Sequence, residues 1–155
     1  MLPLTPAQDP DDLGGRTPRQ ASSIKGASAA GRTVAVEDLE PVDLVVTGCV
    51  AVTEDGARLG KGGGFSDLEY AIAFAAGLIR ADTPVVTTVH ELQVVDAIPT
   101  VGHDVTLDLF LTAERSHACR RENRHEPGIA WEELTEEKIE SIPLLASRRH
   151  MRMAP

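Results

Sequence analysis

The residues best suited to chemistry lie in one short stretch, RLGKGGGFSD, which runs from Arg58 to Asp67. Four of its ten residues are glycines, and because glycine has no Cβ, a ligand can approach the backbone N–H groups closely. Arg58 and Lys61 add positive charge, and a helical pattern just beyond places a helix N-terminus beside them, which favours an anion. The stretch therefore predicts an anion site. On glycine content alone, a glycine-rich turn beside a helix cap remains an equal alternative.

The two common phosphate-binding motifs do not match this stretch. Gly56, Gly60 and Lys61 lack the four-residue spacer of a Walker loop, and Gly62 stands where that loop needs Ser or Thr. Gly60 and Gly62 open a dinucleotide-like pattern, but its third glycine is out of register. The prediction of an anion site therefore depends on the physical properties of the stretch.

Apolar patterning predicts the elements on either side of the stretch. The β-branched run 42–53 is typical of a buried strand, and 54–56 supplies a turn after it. Ser66 and Glu69 have the spacing of a capping box, which predicts a helix N-cap at Ser66. The apolar residues at helical intervals are Leu68, Ile72, Ala75 and Ile79, and Gly77 is the predicted terminator.

The rest of the chain predicts further strands and a terminal helix. Residues 84–90 form a second buried strand, and 92–96 are a candidate third. In 104–112, the odd-numbered residues from Val105 to Leu111 share one face, while Asp104, Thr106 and Asp108 share the other. Residues 135–145 form a short helix stopped by Pro143. Strands separated by a helix predict an α/β fold with a layered sheet.

Composition narrows the class of protein. The formal net charge of -9 argues against nonspecific binding to nucleic acid or anionic membranes. No apolar run reaches the roughly 20 residues of a membrane span, and residues 1–20 lack the pattern of a signal peptide, so we expect a cytoplasmic protein. Cys49 and Cys119 lack CxxC spacing, and we expect both to be reduced.

Four arginines crowd the segment 115–124. Glu122 and Glu126 interrupt the charge, and no aromatic residue is available for base stacking, so a solvated loop is favoured over a phosphate site. The four are Arg115, Arg120, Arg121 and Arg124.

The stretch from Arg58 to Asp67 also resembles the signature R-x-G-[RK]-G-x-G-[YF]-Y-D of the 5-formyltetrahydrofolate cyclo-ligases, or methenyltetrahydrofolate synthetases. The wider chain, roughly 22–146, is similar to the domain of methenyltetrahydrofolate synthetase domain-containing proteins. This resemblance implies an α/β fold of the NagB/RpiA/CoA-transferase-like type. Residues 1–21 are then a flexible N-terminal segment, and 147–155 are a C-terminal tail.

The resemblance further implies a reaction. ATP phosphorylates the formyl oxygen of 5-formyltetrahydrofolate, the neighbouring folate nitrogen attacks, and loss of phosphate gives 5,10-methenyltetrahydrofolate with ADP. Such a reaction mainly needs charge neutralisation around the transferring phosphoryl group. The catalytic residues implied are Arg58, Lys61 and Phe65. Those implied to hold ATP are Arg58, Gly60, Lys61, Gly62, Gly63, Gly64, Phe65 and Ser66, and those implied to bind Mg²⁺ are Asp67 and Asp104.

Two departures from the family pattern leave a second hypothesis open. Ser66 replaces the second aromatic residue of the signature, and the basic helical segment that members usually carry does not precede Leu2, so we expect a fold truncated at its N-terminus. Lys25 is the one upstream lysine that could substitute as a phosphate contact, although a loop lysine is the favoured interpretation. The alternative is a catalytically incomplete nucleotide- or phosphate-binding domain that acts through self-association or a partner. Formylated folate is the small-molecule substrate under the first hypothesis.

Overall fold

The structure is a computed structural model that describes residues 15–21, 23, 25–26, 29, 39–120 and 128–153. The chain divides into two compact units, one formed by Met1–Leu39 with Trp131–Pro155 and the other by Glu40–Ala130. Most of the predicted flexible segment, residues 1–14, lies outside the described residues. Within the described ranges, no helix is long and apolar enough to cross a membrane. The cytoplasmic location stays a prediction.

The Glu40–Ala130 unit has a mixed α/β fold, as predicted. Its four-stranded sheet has the order β1-β4-β5-β6, in which β1, β4 and β5 are parallel and β6 is antiparallel to β5. Strands β2 and β3 form a separate antiparallel pair, and helix α2 follows β3. The bounds are β1 Val45–Val46, β2 Ala51–Val52, β3 Arg58–Leu59, α2 Phe65–Ala75, β4 Val85–Thr88, β5 Leu109–Leu111 and β6 Ser116–Ala118.

The predicted continuous strand over 42–53 is wrong, because β1 and β2 belong to different sheets. Val45 pairs with Val85 of β4, whereas Ala51 pairs with Leu59 of β3. The turn predicted at 54–56 is confirmed, with the Gly56 N–H donating to the Thr53 carbonyl over 3.0 Å. The chain therefore leaves one sheet after Val46 and forms a hairpin that leads into the glycine stretch.

The predicted third strand over 92–96 is also wrong. Glu91–Gln93 form a short 3₁₀ helix, and Val94 makes a single bridge to Val52. The His90 side chain accepts from the Leu92 N–H through Nδ1 over 3.1 Å, and the Gln93 side chain accepts from the His90 N–H over 2.8 Å. These side chains satisfy local backbone donors and favour a turn over a strand.

The alternation predicted for 104–112 holds only in part. Val105 and Leu107 are buried, but Phe110 is fully buried and Leu111 is 37% exposed, so the buried face changes after Leu107. The cause is that the Leu107 N–H donates to the Gly56 carbonyl over 2.8 Å, outside the main sheet. The regular strand β5 therefore begins only at Leu109.

One hydrophobic core lies inside the Glu40–Ala130 unit. Its buried members are Val52, Tyr70, Ile79, Val85, Val89, Val105, Leu107 and Phe110. The strand predicted over 84–90 is confirmed as β4, which supplies Val85 to this core. The core takes residues from β2, α2, β4 and β5, and β3 is connected to it through its pairing with β2.

The described helices of the other unit are α1, α3 and α4, with a 3₁₀ turn at Trp131–Glu133. Their bounds are α1 Pro18–Ala21, α3 Glu136–Ser141 and α4 Pro143–Met153. The Thr135 side chain caps α3 by accepting from the Lys138 N–H over 3.2 Å. Pro143 ends α3, as predicted, but it also begins α4, because proline fits the first position of a helix without losing a hydrogen bond. The predicted tail over 147–155 is thus helical as far as Met153.

Candidate anion-binding site

The glycine stretch joins β3 to α2, as the sequence predicts. Helix α2 begins at Phe65, and its N-cap is Gly64, which has a left-handed conformation with φ 61° and no side-chain cap. The predicted N-cap at Ser66 is therefore wrong. Gly62, with φ 94°, and Gly64 both adopt conformations that favour glycine, so the chain enters the helix before it reaches Ser66.

The far end of α2 confirms the prediction of a terminator at Gly77. Gly77 has φ 77°, and its N–H donates to the Phe74 carbonyl over 2.9 Å. The Leu78 N–H donates to the Ala73 carbonyl over 3.0 Å, which completes a Schellman motif. The first bond within the helix runs from the Leu68 N–H to the Gly64 carbonyl over 3.1 Å. The Ser66 and Asp67 N–H groups precede this bond in the first turn, and α-helix geometry gives such groups no acceptor within the helix.

Arg58 is a buried cation at the start of the glycine stretch. Its side chain is 2% exposed, and its Nη2 donates to Oδ1 of Asp67 over 2.5 Å. The same carboxylate oxygen accepts from the Val105 N–H over 3.0 Å. Arg58 on β3 is therefore attached to the first turn of α2, and Asp67 is attached in turn to the segment before β5.

The remaining nitrogens of Arg58 have no acceptor among the residues that the structure describes. Nε and Nη1 are both buried, and no described group accepts a hydrogen bond from either of them. Leaving a buried donor unsatisfied costs about 1–3 kcal/mol, and more when the group is charged. Nη1 lies 3.8 Å from the position that a Cβ would occupy on Gly60, so this side of the guanidinium faces the glycine stretch. Two unsatisfied cationic donors beside an uncapped helix N-terminus fit an anion with several acceptor oxygens.

The other predicted ligand residues differ in how far they are exposed. Lys61 and the glycines at 62–64 are exposed, and Ser66 is half-buried in the first turn of α2. Phe65 is 47% exposed. A buried arginine, an exposed lysine and exposed glycines thus precede the N-terminus of α2 along the chain.

Asp104 directly precedes Val105, the residue whose N–H donates to Asp67. The Oδ2 atom of Asp104 accepts from the Val101 N–H over 2.8 Å. In the part of the chain that is described, no group of three or more His, Cys, Asp or Glu side chains is placed to hold a metal ion. Mg²⁺ takes one or two carboxylates together with phosphate oxygens and water, so these two carboxylates would suit it if phosphate were bound beside them. The metal assignment of Asp67 and Asp104 stays a prediction.

The arginine-rich segment has one member with a clear structural role. Arg115 forms ion pairs with Glu91 over 3.1 Å and with Glu54 over 3.4 Å, and its guanidinium lies 5.6 Å from the centre of the Phe110 ring. The hydrogen bonds from Arg115 and from Thr112 lower the pKa of Glu91. Arg121 and Arg124 lie outside the described residues. The charge of Arg115 is thus paired with carboxylates of the protein itself.

Comparison with known proteins gives the family. The profile of the 5-formyltetrahydrofolate cyclo-ligase family matches residues 2–113. The chain therefore belongs to this family, as its signature predicts. Across 135 residues it is 42% identical to the methenyltetrahydrofolate synthase domain-containing protein of Bos taurus, covering 85% of this chain and 35% of that protein. The Homo sapiens protein of the same name is 41% identical over 134 residues, or 84% of this chain and 35% of that protein.

A cyclo-ligase is also similar to part of the chain. The 5-formyltetrahydrofolate cyclo-ligase of Mycolicibacterium smegmatis is 35% identical over 87 residues, which is 55% of this chain and 41% of that protein. The chain thus spans well under half the length of each of these relatives. The name of the cyclo-ligase indicates a reaction that can be tested, and the site at Arg58 indicates which residues to substitute in that test.

Proposed function

We propose that the site at Arg58 and residues 60–66 binds the phosphates of ATP, and that the chain uses it to cyclise 5-formyltetrahydrofolate to 5,10-methenyltetrahydrofolate. The single observation that carries the proposal is the buried Arg58 guanidinium, whose Nε and Nη1 have no acceptor within the described part of the chain. Membership of the cyclo-ligase family supports the choice of reaction. Phosphate oxygens are suitable acceptors for the planar N–H donors of an arginine.

The reaction itself places its main demand on charge. The formyl oxygen attacks the terminal phosphorus of ATP, and ADP leaves. The neighbouring folate nitrogen then attacks the formyl carbon and loses its proton, and the phosphorylated oxygen departs as phosphate. Negative charge is concentrated at the transferring group throughout, so fixed cationic donors accelerate the step more than a protein nucleophile would.

Each named residue has a part in this scheme. Arg58 is held in place by Asp67, and because it is buried, its charge is weakly screened. Lys61 is exposed and can follow the phosphate as the charge moves. Asp67 and Asp104 would hold Mg²⁺, which when bound neutralises phosphate charge. Phe65 would shelter the reacting group from water.

The second candidate is a nucleotide- or phosphate-binding domain that does not catalyse the reaction. Ser66 favours it, because the signature carries a second aromatic residue at this position. Both candidates need the same anion site. They differ only in whether bound ATP is consumed when formylated folate is added.

The experiment measures binding and turnover on the same preparation. Calorimetry with Mg-ATP compares wild type with Arg58→Lys, which keeps the charge but loses the planar donors. Arg80→Lys is the matched control, because Arg80 is 59% exposed and pairs with Asp82 at the surface. We expect at least about a tenfold loss of affinity for Arg58→Lys only.

Turnover then separates the two candidates. Formation of the conjugated methenyl product and of ADP from 5-formyltetrahydrofolate supports the enzyme, whereas ATP binding without either product supports the binding domain. Absence of both Mg-ATP and inorganic phosphate binding in the wild-type protein would overturn the proposal as a whole.

A further inference from the structure

The Phe65 ring lies directly against the backbone of Gly63. A Cβ added to Gly63 would be 2.5 Å from Cδ2 of the ring and 2.6 Å from Cε2. Real Cβ atoms essentially never come within 3.0 Å of another heavy atom in this way. The ring therefore occupies the space that a side chain at position 63 would need.

The backbone itself does not require glycine at this position. Gly62 and Gly64, with φ 94° and 61°, adopt left-handed conformations, but Gly63 is not among the glycines with positive φ. The added Cβ at position 62 or 64 would meet nothing within 4 Å, whereas at position 63 the three nearest atoms all belong to the Phe65 ring. Conformation explains the outer two glycines, and the ring explains the middle one.

The position of the ring matters because of where Phe65 lies. It is the first residue of α2, directly after the N-cap Gly64, and it remains 47% exposed. A ring folded back over Gly63 lies beside the glycine backbone that leads into the helix N-terminus. An anion bound there would have the ring on one side, and an apolar group that shields a hydrogen bond from water strengthens it, because the local dielectric falls.

We propose that Gly63 is a positioning residue for the anion site: by lacking a side chain, it seats the Phe65 ring across the glycine stretch as a wall of that site. This inference rests on the proposed function, since the wall acts on the anion that Arg58 and the helix N-terminus bind. The family signature leaves the position of Gly63 open, so the requirement arises from this chain's own packing.

The test is a double-mutant cycle of Gly63→Ala and Phe65→Leu. Inorganic phosphate is titrated while the amide signals of residues 62 to 66 are followed by NMR. We expect Gly63→Ala to weaken phosphate binding by about fivefold or more, because the ring must leave its seat. In the Phe65→Leu background, the added alanine is expected to change the affinity much less, because the obstacle has been removed.

Two further measurements separate ring position from general damage. The wild-type Gly63 α protons lie against an aromatic ring, so their signals should be shifted by the ring current and should move in Phe65→Leu. Gly102→Ala is the matched control, because Gly102 has open space around its Cβ position and no positive φ. That variant is expected to bind phosphate as wild type does.

The outcomes distinguish this inference from the proposed function. Wild-type phosphate affinity in Gly63→Ala, or an equal loss with and without the Phe65 ring, overturns the positioning role and leaves the anion site intact. Absence of phosphate binding in the wild-type protein overturns both.

Discussion

Nη2 of Arg58 donates to Oδ1 of Asp67 over 2.5 Å, and this bond joins strand β3 to the first turn of helix α2. The two side chains are 2% and 18% exposed, so the pair lies largely out of water. Nε and Nη1 of Arg58 have no acceptor among the described residues, and Nη1 lies 3.8 Å from the Cβ position of Gly60. The carboxylate therefore orients the guanidinium and leaves its other side for a ligand.

Replacing Asp67 by Asn should destabilise the fold. A carboxylate in an exposed first turn contributes only about 0.3–1 kcal/mol through the helix dipole, which is the effect that the sequence alone predicts. The structure predicts about 2–4 kcal/mol, because the substitution leaves the buried Arg58 charge without its partner. Urea unfolding measures the loss. Asp82→Asn is the control, since Asp82 is 76% exposed and pairs with an exposed Arg80; equal losses in the two variants would contradict the buried pair.

Loss of the carboxylate at Asp67 or Asp104 should also weaken binding of Mg-ATP. At a temperature where each variant is folded, we expect Asp67→Asn and Asp104→Asn to lose about tenfold or more in affinity, since a metal-bound charge is removed. Calorimetry with Mg²⁺, and again with ATP and a chelator, separates the metal from the phosphate contribution. The metal assignment does not survive if the variants lose the same affinity with and without Mg²⁺.

The beginning of α2 offers a prediction that separates sequence pattern from structure. A side-chain N-cap replaced by alanine costs typically about 1 kcal/mol. Because the N-cap is Gly64 and Ser66 lies within the helix, Ser66→Ala should cost less than about 0.5 kcal/mol. Gly64→Ala should cost more, about 1 kcal/mol or above, because alanine is strained at φ 61°. Thermal unfolding of both variants measures the two losses of stability. A larger loss for Ser66→Ala than for Gly64→Ala would support the predicted N-cap at Ser66 instead.

These cases show which parts of the site a sequence can predict. Glycine punctuation and local periodicity predicted the end of α2 at Gly77 and the connection from β3 to α2, because both depend on neighbouring residues. No local pattern predicts the burial of Arg58. The same is true of the bond from the Val105 N–H to Asp67, because these two residues are 38 positions apart in the chain. The N-cap was mispredicted because two glycine conformations outweighed the Ser–Glu spacing.

The ion pairs of Arg115 predict how stability changes with pH. Hydrogen bonds from Arg115, and then from Thr112, lower the pKa of Glu91 below its usual value in the folded protein. Since the folded state favours the ionised carboxylate, this contribution is fully present above the unfolded pKa of about 4.3 and is lost as pH falls through the lower folded value. Arg115→Gln should therefore flatten the loss of stability below about pH 4.3.

Thermal melts of wild type and Arg115→Gln across acidic pH test this expectation. Arg80→Gln serves as the control, because its partner Asp82 belongs to a separate exposed pair. Parallel pH profiles for wild type and Arg115→Gln would show that the Glu91 contact contributes nothing in solution.

The exposed edge of the main sheet predicts self-association. Strand β1 is the first strand of the order β1-β4-β5-β6, so one of its sides pairs with β4, and no other described strand pairs with the opposite side. Val46 in β1 and Leu44 just before it are 67% and 50% exposed. Unpaired edges with apolar side chains favour pairing with another chain. We therefore expect the average mass measured by sedimentation velocity to rise with protein concentration across the micromolar range. The salt concentration is about 0.15 M, because repulsion between the negatively charged molecules is then screened within about 8 Å. Val46→Lys should shift the protein to monomer, whereas Leu92→Lys, at a residue 87% exposed but outside the strands, should not. A wild-type protein that stays monomeric over the whole range would remove the edge from consideration as an interface.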